Sequence, residues 1–336
     1  MFLKLRVLLL ALILWSSAAD AGEITVYTSL EPAEIAVYIE AAKQEMPSLT
    51  IHTFRLSTGD LGARLLAESS RPKADVIWGW ALTDMLNPKI MTMLEAYKPS
   101  RFSKVPKKFK AEDGLWFAPT GYMAAFCVNT RRLKHKHLPM PTSWQDLANP
   151  IFANEVVMPN PISSGTGYLQ VVSILQGLGT QKGWRMLESI NKNVGQYSKS
   201  GSKPCTMVSM GEYAVGASSA IAAKEAIRQG YPVQMVIPSE GAGYELEANA
   251  LMKASKHKKD AKRFLDWTLS ATVNQLYAER KAIVWAKPET NQTVGSSVNN
   301  NKLFDMDFVK SRKQRTQTLA AWRQRIEFDN TSAKGH

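Results

Sequence analysis

The stretch Val156-Val-Met-Pro-Asn-Pro-Ile-Ser163-Ser164-Gly165-Thr166-Gly167-Tyr168-Leu169 limits the possible architecture more than any other part of the chain. A short β-branched run stops at two prolines, and a cluster of hydroxyl and glycine residues follows. Apolar residues then recur at Leu169, Val172, Leu175 and Leu178 with helical spacing. Strand, small polar turn, helix is the unit of an α/β sheet. It leaves the amides of the first helical turn without intrahelical partners, at the positive end of the helix dipole. Such a turn is either an ordinary N-cap or a seat for an oxyanion.

The same unit recurs. Glu23 to Thr28 reads as a strand, followed by Ser29-Leu-Glu31-Pro32 and a helix over 33–44. Leu49 to Phe54 reads as a second strand, ending at Ser57-Thr58-Gly59 before a helix over 60–68. Ala74 to Trp78 reads as a third, ending at Gly79-Trp80 before another helix. Beyond Pro119-Thr-Gly121-Tyr122 a strand runs to Val128, and Thr142-Ser143-Trp-Gln-Asp146 has the form of a capping box. Tyr213 to Ser219 is a strand ending in hydroxyls before a helix over 220–229. Val233 to Ile237 is again strand-like, and Tyr244 to Met252 carries the chain back to the first unit. The alternation predicts a mostly parallel α/β sheet, with any ligand outside the carboxyl ends of the strands. It divides into two lobes joined by crossing segments near 121–128 and 244–252.

Lys4 and Arg6 precede an apolar run from Val7 to Trp15, and Ala19-Asp20-Ala21 offers small residues around a cleavage point. This predicts a cleaved export signal over 1–21 and a soluble periplasmic protein. The roughly 315 residues that remain suffice for two domains. The formal net charge is +13, with dense runs at Lys256–Arg263 and from Lys310 to Arg325. Both fall on amphipathic helical patterns and read as solvated faces. No nucleic-acid motif accompanies them, so the charge implies only a general attraction for anions. The two cysteines, Cys127 and Cys205, permit a single intramolecular disulfide in an exported chain, with two buried thiols as the alternative.

Enzyme signatures are missing: there is no Gly-x-Ser-x-Gly elbow, His-Glu-x-x-His, Walker sequence or Cys-x-x-Cys pair, and the five histidines are scattered. No catalytic residue, metal ligand or cofactor is predicted. What recurs instead are hydroxyl and glycine clusters at strand ends: Thr28-Ser29, Ser57-Thr58-Gly59, Ser163-Ser164-Gly165-Thr166 and Ser218-Ser219. Converging from two lobes, they suit reversible capture of a small anion. Trp78 and Tyr122 either wall that cleft or belong to the core. Glu31 and Asp75 either meet a ligand ammonium or cap and brace backbone.

Together with the export signal, several segments resemble the extracellular solute-binding proteins of ABC transporters. They are Val26-Tyr-Thr-Ser-Leu-Glu31, Ser57-Thr-Gly59, Trp144-Gln-Asp-Leu-Ala-Asn-Pro150, Asn160 to Tyr168 and Gly211-Glu212. The nearest cluster holds ferric-iron binders and binders of 2-aminoethylphosphonate and phosphorylated compounds. The iron binders carry a tandem tyrosine pair where this chain reads Ser218-Ser219-Ala220-Ile221, so the resemblance favours the phosphonate or phosphate-ester branch. It implies a type 2, Venus-flytrap fold with lobe 1 over 22–120 plus about 244–285. Lobe 2 would cover 121–243 plus about 286–336. It implies a ligand site of Ser163, Ser164, Gly165 and Thr166 around the anion, assisted by Ser57, Thr58, Gly59 and Ser218, with Thr28, Ser29, Leu30 and Glu31 at the other end. The implied partner is an inner-membrane ABC permease and the implied state a monomer. The ligand the resemblance most favours is 2-aminoethylphosphonate, with a sugar phosphate, phosphoglycerate or ferric iron as the alternatives; an exported enzyme acting on phosphate esters and an exported sensor are the competing classes.

Overall fold

Eleven strands form one continuous sheet in the computed structural model, which describes residues 22–281, 283–284 and 303–327. The predicted export segment 1–21 lies outside the described residues, as do 285–302 and 328–336, on which most of the 286–336 part expected of lobe 2 falls. In chain order the strands are β1 (Gly22–Thr28), β2 (Leu49–Arg55), β3 (Val76–Ala81), β4 (Leu94–Glu95), β5 (Phe117–Asn129) and β6 (Val156–Pro159). They continue with β7 (Val194–Ser198), β8 (Val215–Ser219), β9 (Val233–Val236), β10 (Tyr244–Met252) and β11 (Ile283–Val284). The main path runs β2-β1-β3-β10-β5-β8-β6-β7.

The sheet is mixed, which corrects the expectation of a mostly parallel one. β1 pairs parallel with β2 and β3, and β6 parallel with β7 and β8. Between these two parallel groups stand β10 and β5, each antiparallel to its neighbours. β5 is thirteen residues long and buried throughout. Its first part pairs with β10 from Phe117 to Met123, and its second with β8 and β9 from Ala124 to Asn129. One extended strand thus carries both halves of the molecule.

Each parallel strand feeds a helix, because βαβ crossovers need one to return along the sheet face. Strand β1 leads into Pro32–Glu45, β2 into Thr58–Ala67, β6 into Gly165–Leu178 and β8 into Ala220–Arg228. The capping box predicted near 142 is present: Ser143 Oγ accepts from the Asp146 amide at 3.0 Å, and Asp146 accepts the Ser143 amide at 3.0 Å. Strand β3 runs straight through Gly79-Trp80, where a helix was expected to begin, because it is central and both its faces are covered.

One core packs β1, β3, β10 and the first part of β5 under the helices, and a second surrounds Phe126, Trp144, Val156 and Trp322. A third cluster encloses the Cys127–Cys205 disulfide, with Cα atoms 5.3 Å apart. Cys205 sits on the helix Lys203–Ser209 rather than in a loop, so the bridge ties that helix to β5.

Candidate functional site

Four helix N-termini converge on one small cavity. Their N-cap residues are Glu31, Ser57, Ser164 and Ser219, and all four residues line it. The cavity, about 40 Å³, is also walled by Ser29, Leu30, Arg55, Thr58, Tyr122 and Gly165-Thr166, with Glu34, Gly201, Ile221 and Glu247 completing it. β1, β2 and β3 run opposite to β6, β7 and β8, and the two groups flank successive lengths of β5, so their carboxyl ends face each other across the middle of the sheet, each handing its chain to a helix there. The convergence is therefore a consequence of topology.

The two halves touch closely around it. The Gly59 amide donates to the Ser163 carbonyl at 3.0 Å. Ser202 Oγ donates to Glu31 Oε2 at 2.9 Å. A Cβ at residue 59 would collide with the Ile162 carbonyl, and one at 165 with Thr58 Oγ1. Glycine at both positions is what lets the two first turns approach each other.

Donors dominate one side. Ser164 Oγ accepts from the Gly167 amide at 3.2 Å, leaving its hydroxyl proton free to point outward. Ser57 makes no side-chain capping bond. The Tyr122 hydroxyl, on a residue 9% exposed, is buried without a hydrogen-bond partner. An orphaned buried hydroxyl costs roughly 1–3 kcal/mol, and a ligand atom in the cavity would relieve it. Burial, then the nearby Glu245 and Glu247, hold the phenol far above its ordinary pKa, so it stays a donor.

The opposite side is acidic. Arg55 donates through Nη2 to Glu31 Oε2 at 3.5 Å and through Nε to the Leu30 carbonyl at 3.3 Å. Burial raises the Glu31 pKa against the pull of Arg55 and Ser202. Beneath lies a buried triad: Lys281 Nζ stands 2.6 Å from Glu34 and 2.7 Å from Glu247. Glu247 also accepts from Thr120 Oγ1 at 2.5 Å. Burial pushes the Lys281 pKa down, but the two carboxylates outweigh it and the net shift is upward. Three carboxylates thus face two cations.

Most sequence-predicted residues meet here: Ser29, Leu30, Glu31, Ser57, Thr58, Tyr122, Ser164, Gly165 and Thr166. Others do not line the cavity. Thr28 is buried, its Oγ1 accepting from the Leu30 amide at 3.1 Å, so it shapes the turn. Trp78 belongs to the core, packed edge-on against Phe264 and Tyr38. Asp75 braces backbone, accepting from the Thr25 amide and from Ser255 Oγ. Ser163 donates to the Lys199 carbonyl, and Gly59 contributes the close approach already described. Ser218 donates to the Gly201 carbonyl at 2.7 Å, and its neighbour Ser219 takes the place at the cavity.

Sequence reasoning missed Arg55, Glu34, Gly201, Ile221 and Glu247. A signal for Glu247 existed: Glu245, Glu247 and Asn249 alternate in an otherwise apolar strand, which places three polar side chains on one buried face. Glu245 has a consequence for stability. Burial, opposed by bonds from Thr83 and the Leu246 amide, raises its pKa to about 8. The folded state binds this proton more tightly than the unfolded one. Its contribution is therefore complete below the unfolded value of about 4.3 and is lost as pH rises through about 8. Denaturant unfolding at pH 5 and 8.5 is expected to show a decline on the order of 2–4 kcal/mol that Glu245→Gln removes. Equal pH slopes in the two proteins would contradict this.

Such a cavity, formed between two α/β halves joined by shared strands, is the construction of a two-lobed solute-binding protein. The profile of the bacterial extracellular solute-binding protein family matches residues 72–311, and the chain belongs to that family. A protein of Haemophilus influenzae is 29% identical over 291 residues, 82% of each chain. The probable ABC transporter periplasmic-binding protein y4fP of Sinorhizobium fredii is 26% identical over 93% of this chain and 87% of its own. The phosphoglycerate transport regulatory protein PgtC of Salmonella typhimurium is 26% identical over 53% of this chain and 45% of its own. Among solved structures, the periplasmic binding protein AfuA of Actinobacillus pleuropneumoniae, with fructose-6-phosphate bound, superposes with a TM-score of 0.83. It is 27% identical, over 91% of this chain and 99% of that one. Iron-bound HitA of Pseudomonas aeruginosa, 17% identical with a TM-score of 0.72 over 90% and 99%, shares the fold. The chain is thus of the periplasmic solute-binding kind that serves ABC transporters. Among the described residues, no helix is long and apolar enough to cross a membrane.

Proposed function

We propose that the protein captures a small phosphonate- or phosphate-bearing molecule in the periplasm and delivers it to an ABC permease, as a binder rather than an enzyme. The observation that carries this reading is the convergence of four helix N-termini and the orphaned Tyr122 hydroxyl on one cavity. Fixed donors of this kind hold an oxyanion with little reorganisation. In this reading Ser57, Thr58, Ser164, Gly165, Thr166 and Tyr122 surround the anion. Lobe 1 covers 22–120 and about 244–285, lobe 2 covers 121–243 and about 286–336, and the lobes close over the ligand as a monomer.

2-Aminoethylphosphonate satisfies both sides of the cavity, its phosphonate on the donors and its ammonium toward Glu31. A sugar phosphate is the second reading, favoured by the fructose-6-phosphate bound in AfuA. The test is a thermal-shift panel on protein unfolded to remove ligand and refolded. A ligand at a hundred times its Kd stabilises by about 2.7 kcal/mol, a rise of several degrees. Selective rises with 2-aminoethylphosphonate or with fructose 6-phosphate separate the two readings. A rise with ferric citrate alone, or none at all, would overturn both.

A further inference from the structure

The anion cavity adjoins a second, larger one of about 550 Å³, with which it shares Glu31, Glu34 and Ile221 as lining residues. Any molecule whose phosphorus sits among the donors and whose body extends outward passes these two carboxylates within a few bonds. Glu31 is the less neutralised of the pair. Glu34 contacts Lys281 Nζ at 2.6 Å, whereas the guanidinium of Arg55 reaches Glu31 only at 3.5 Å. The other bond to Glu31 Oε2 comes from the neutral hydroxyl of Ser202. The larger cavity is also lined by Lys224, Arg228 and Arg280 with Glu225 and Glu279, and Arg228 is paired with Glu225. Independently, the buried, unpartnered hydroxyl of Tyr122 marks the inner cavity as the ligand's anchor.

We infer that Glu31 is the specificity-determining residue of this site. It selects ligands whose group two or three carbons from phosphorus is a donor, an ammonium or hydroxyl, and rejects those carrying a carboxylate there. The inference rests on the proposed phosphate or phosphonate seat. A second anion placed at this passage faces the carboxylates of Glu31, Glu34 and Glu247 in a desolvated space, where like charges repel strongly. A hydroxyl or ammonium in the same place donates to Glu31.

Two matched pairs test it by calorimetric titration of ligand-stripped protein. They are 2-aminoethylphosphonate against phosphonoacetate, and glycerol 3-phosphate against 3-phosphoglycerate. For each pair that binds, the donor-ended member is expected to bind at least about tenfold more tightly. In a folded Glu31→Gln variant, checked by its melting temperature, the ratio is expected to shrink severalfold, with the acid-ended member gaining affinity. Equal affinity within a pair, or a ratio unchanged by Glu31→Gln, would overturn the assignment while leaving the seat intact. Failure of all four compounds to bind would overturn the inference, and failure of fructose 6-phosphate as well would remove the seat itself.

Discussion

A Ser164→Ala/Thr166→Ala variant is expected to fold and to lose ligand affinity by about a hundredfold or more. Hydrogen bonds to a charged acceptor contribute roughly 1.5–3 kcal/mol each, so two lost donors amount to about 3 kcal/mol at least. Both residues are almost fully buried at the opening of Gly165–Leu178, and both line the cavity. Ser164 has a second task, accepting the Gly167 amide, and its loss as an N-cap costs about 1 kcal/mol of stability. The two effects separate because the melting temperature reads the cap and calorimetry reads the anion. Unchanged affinity in the folded variant would show that the ligand does not sit on this helix.

Lys281→Met is expected to have the largest effect on stability. The lysine is wholly buried and holds Glu34 and Glu247 together at 2.6 and 2.7 Å. Methionine fills similar space but leaves two carboxylates facing each other without a cation. Breaking a buried pair from one side costs about 3–5 kcal/mol, a fall in melting temperature on the order of 10 °C. The loss shrinks in acid, because burial already raises the Glu247 pKa and protonation removes the uncompensated charge. Thermal melts at pH 7 and pH 4.5 read both parts. A Lys281→Met protein as stable as wild type at pH 7 would mean the triad is not the support of the cavity floor.

The residues that sequence made legible are those whose position follows from local order. Thr58, Ser164, Gly165 and Thr166 sit between a strand pattern and a helix pattern, and in a parallel sheet that junction lies on the ligand edge. Arg55 was hidden because its place depends on register: it ends β2 opposite Thr28, and only the β1–β2 pairing brings it beside Leu30 and Glu31. Glu247 reaches the cavity through an antiparallel pairing with Thr120 across more than a hundred residues of chain. Ser218 and Ser219 differ by one position, and with a side-chain period of two that difference decides which of them lines the cavity. Trp78 was ambiguous because aromatic residues suit both clefts and cores. The position of β3 between β1 and β10, covered on both faces, decides for the core. The mixed character of the sheet was equally out of reach, since β10 returns antiparallel from the far side of the second half of the chain.

The most direct test of the central claim is calorimetric titration of ligand-stripped protein with 2-aminoethylphosphonate and with fructose 6-phosphate. Saturable binding of at least one of them at a single site per chain, abolished by excess of the same ligand, is the predicted result. No heat of binding from either, or from glycerol 3-phosphate and inorganic phosphate added as further probes, would contradict the assignment of this cavity to a phosphorus oxyanion.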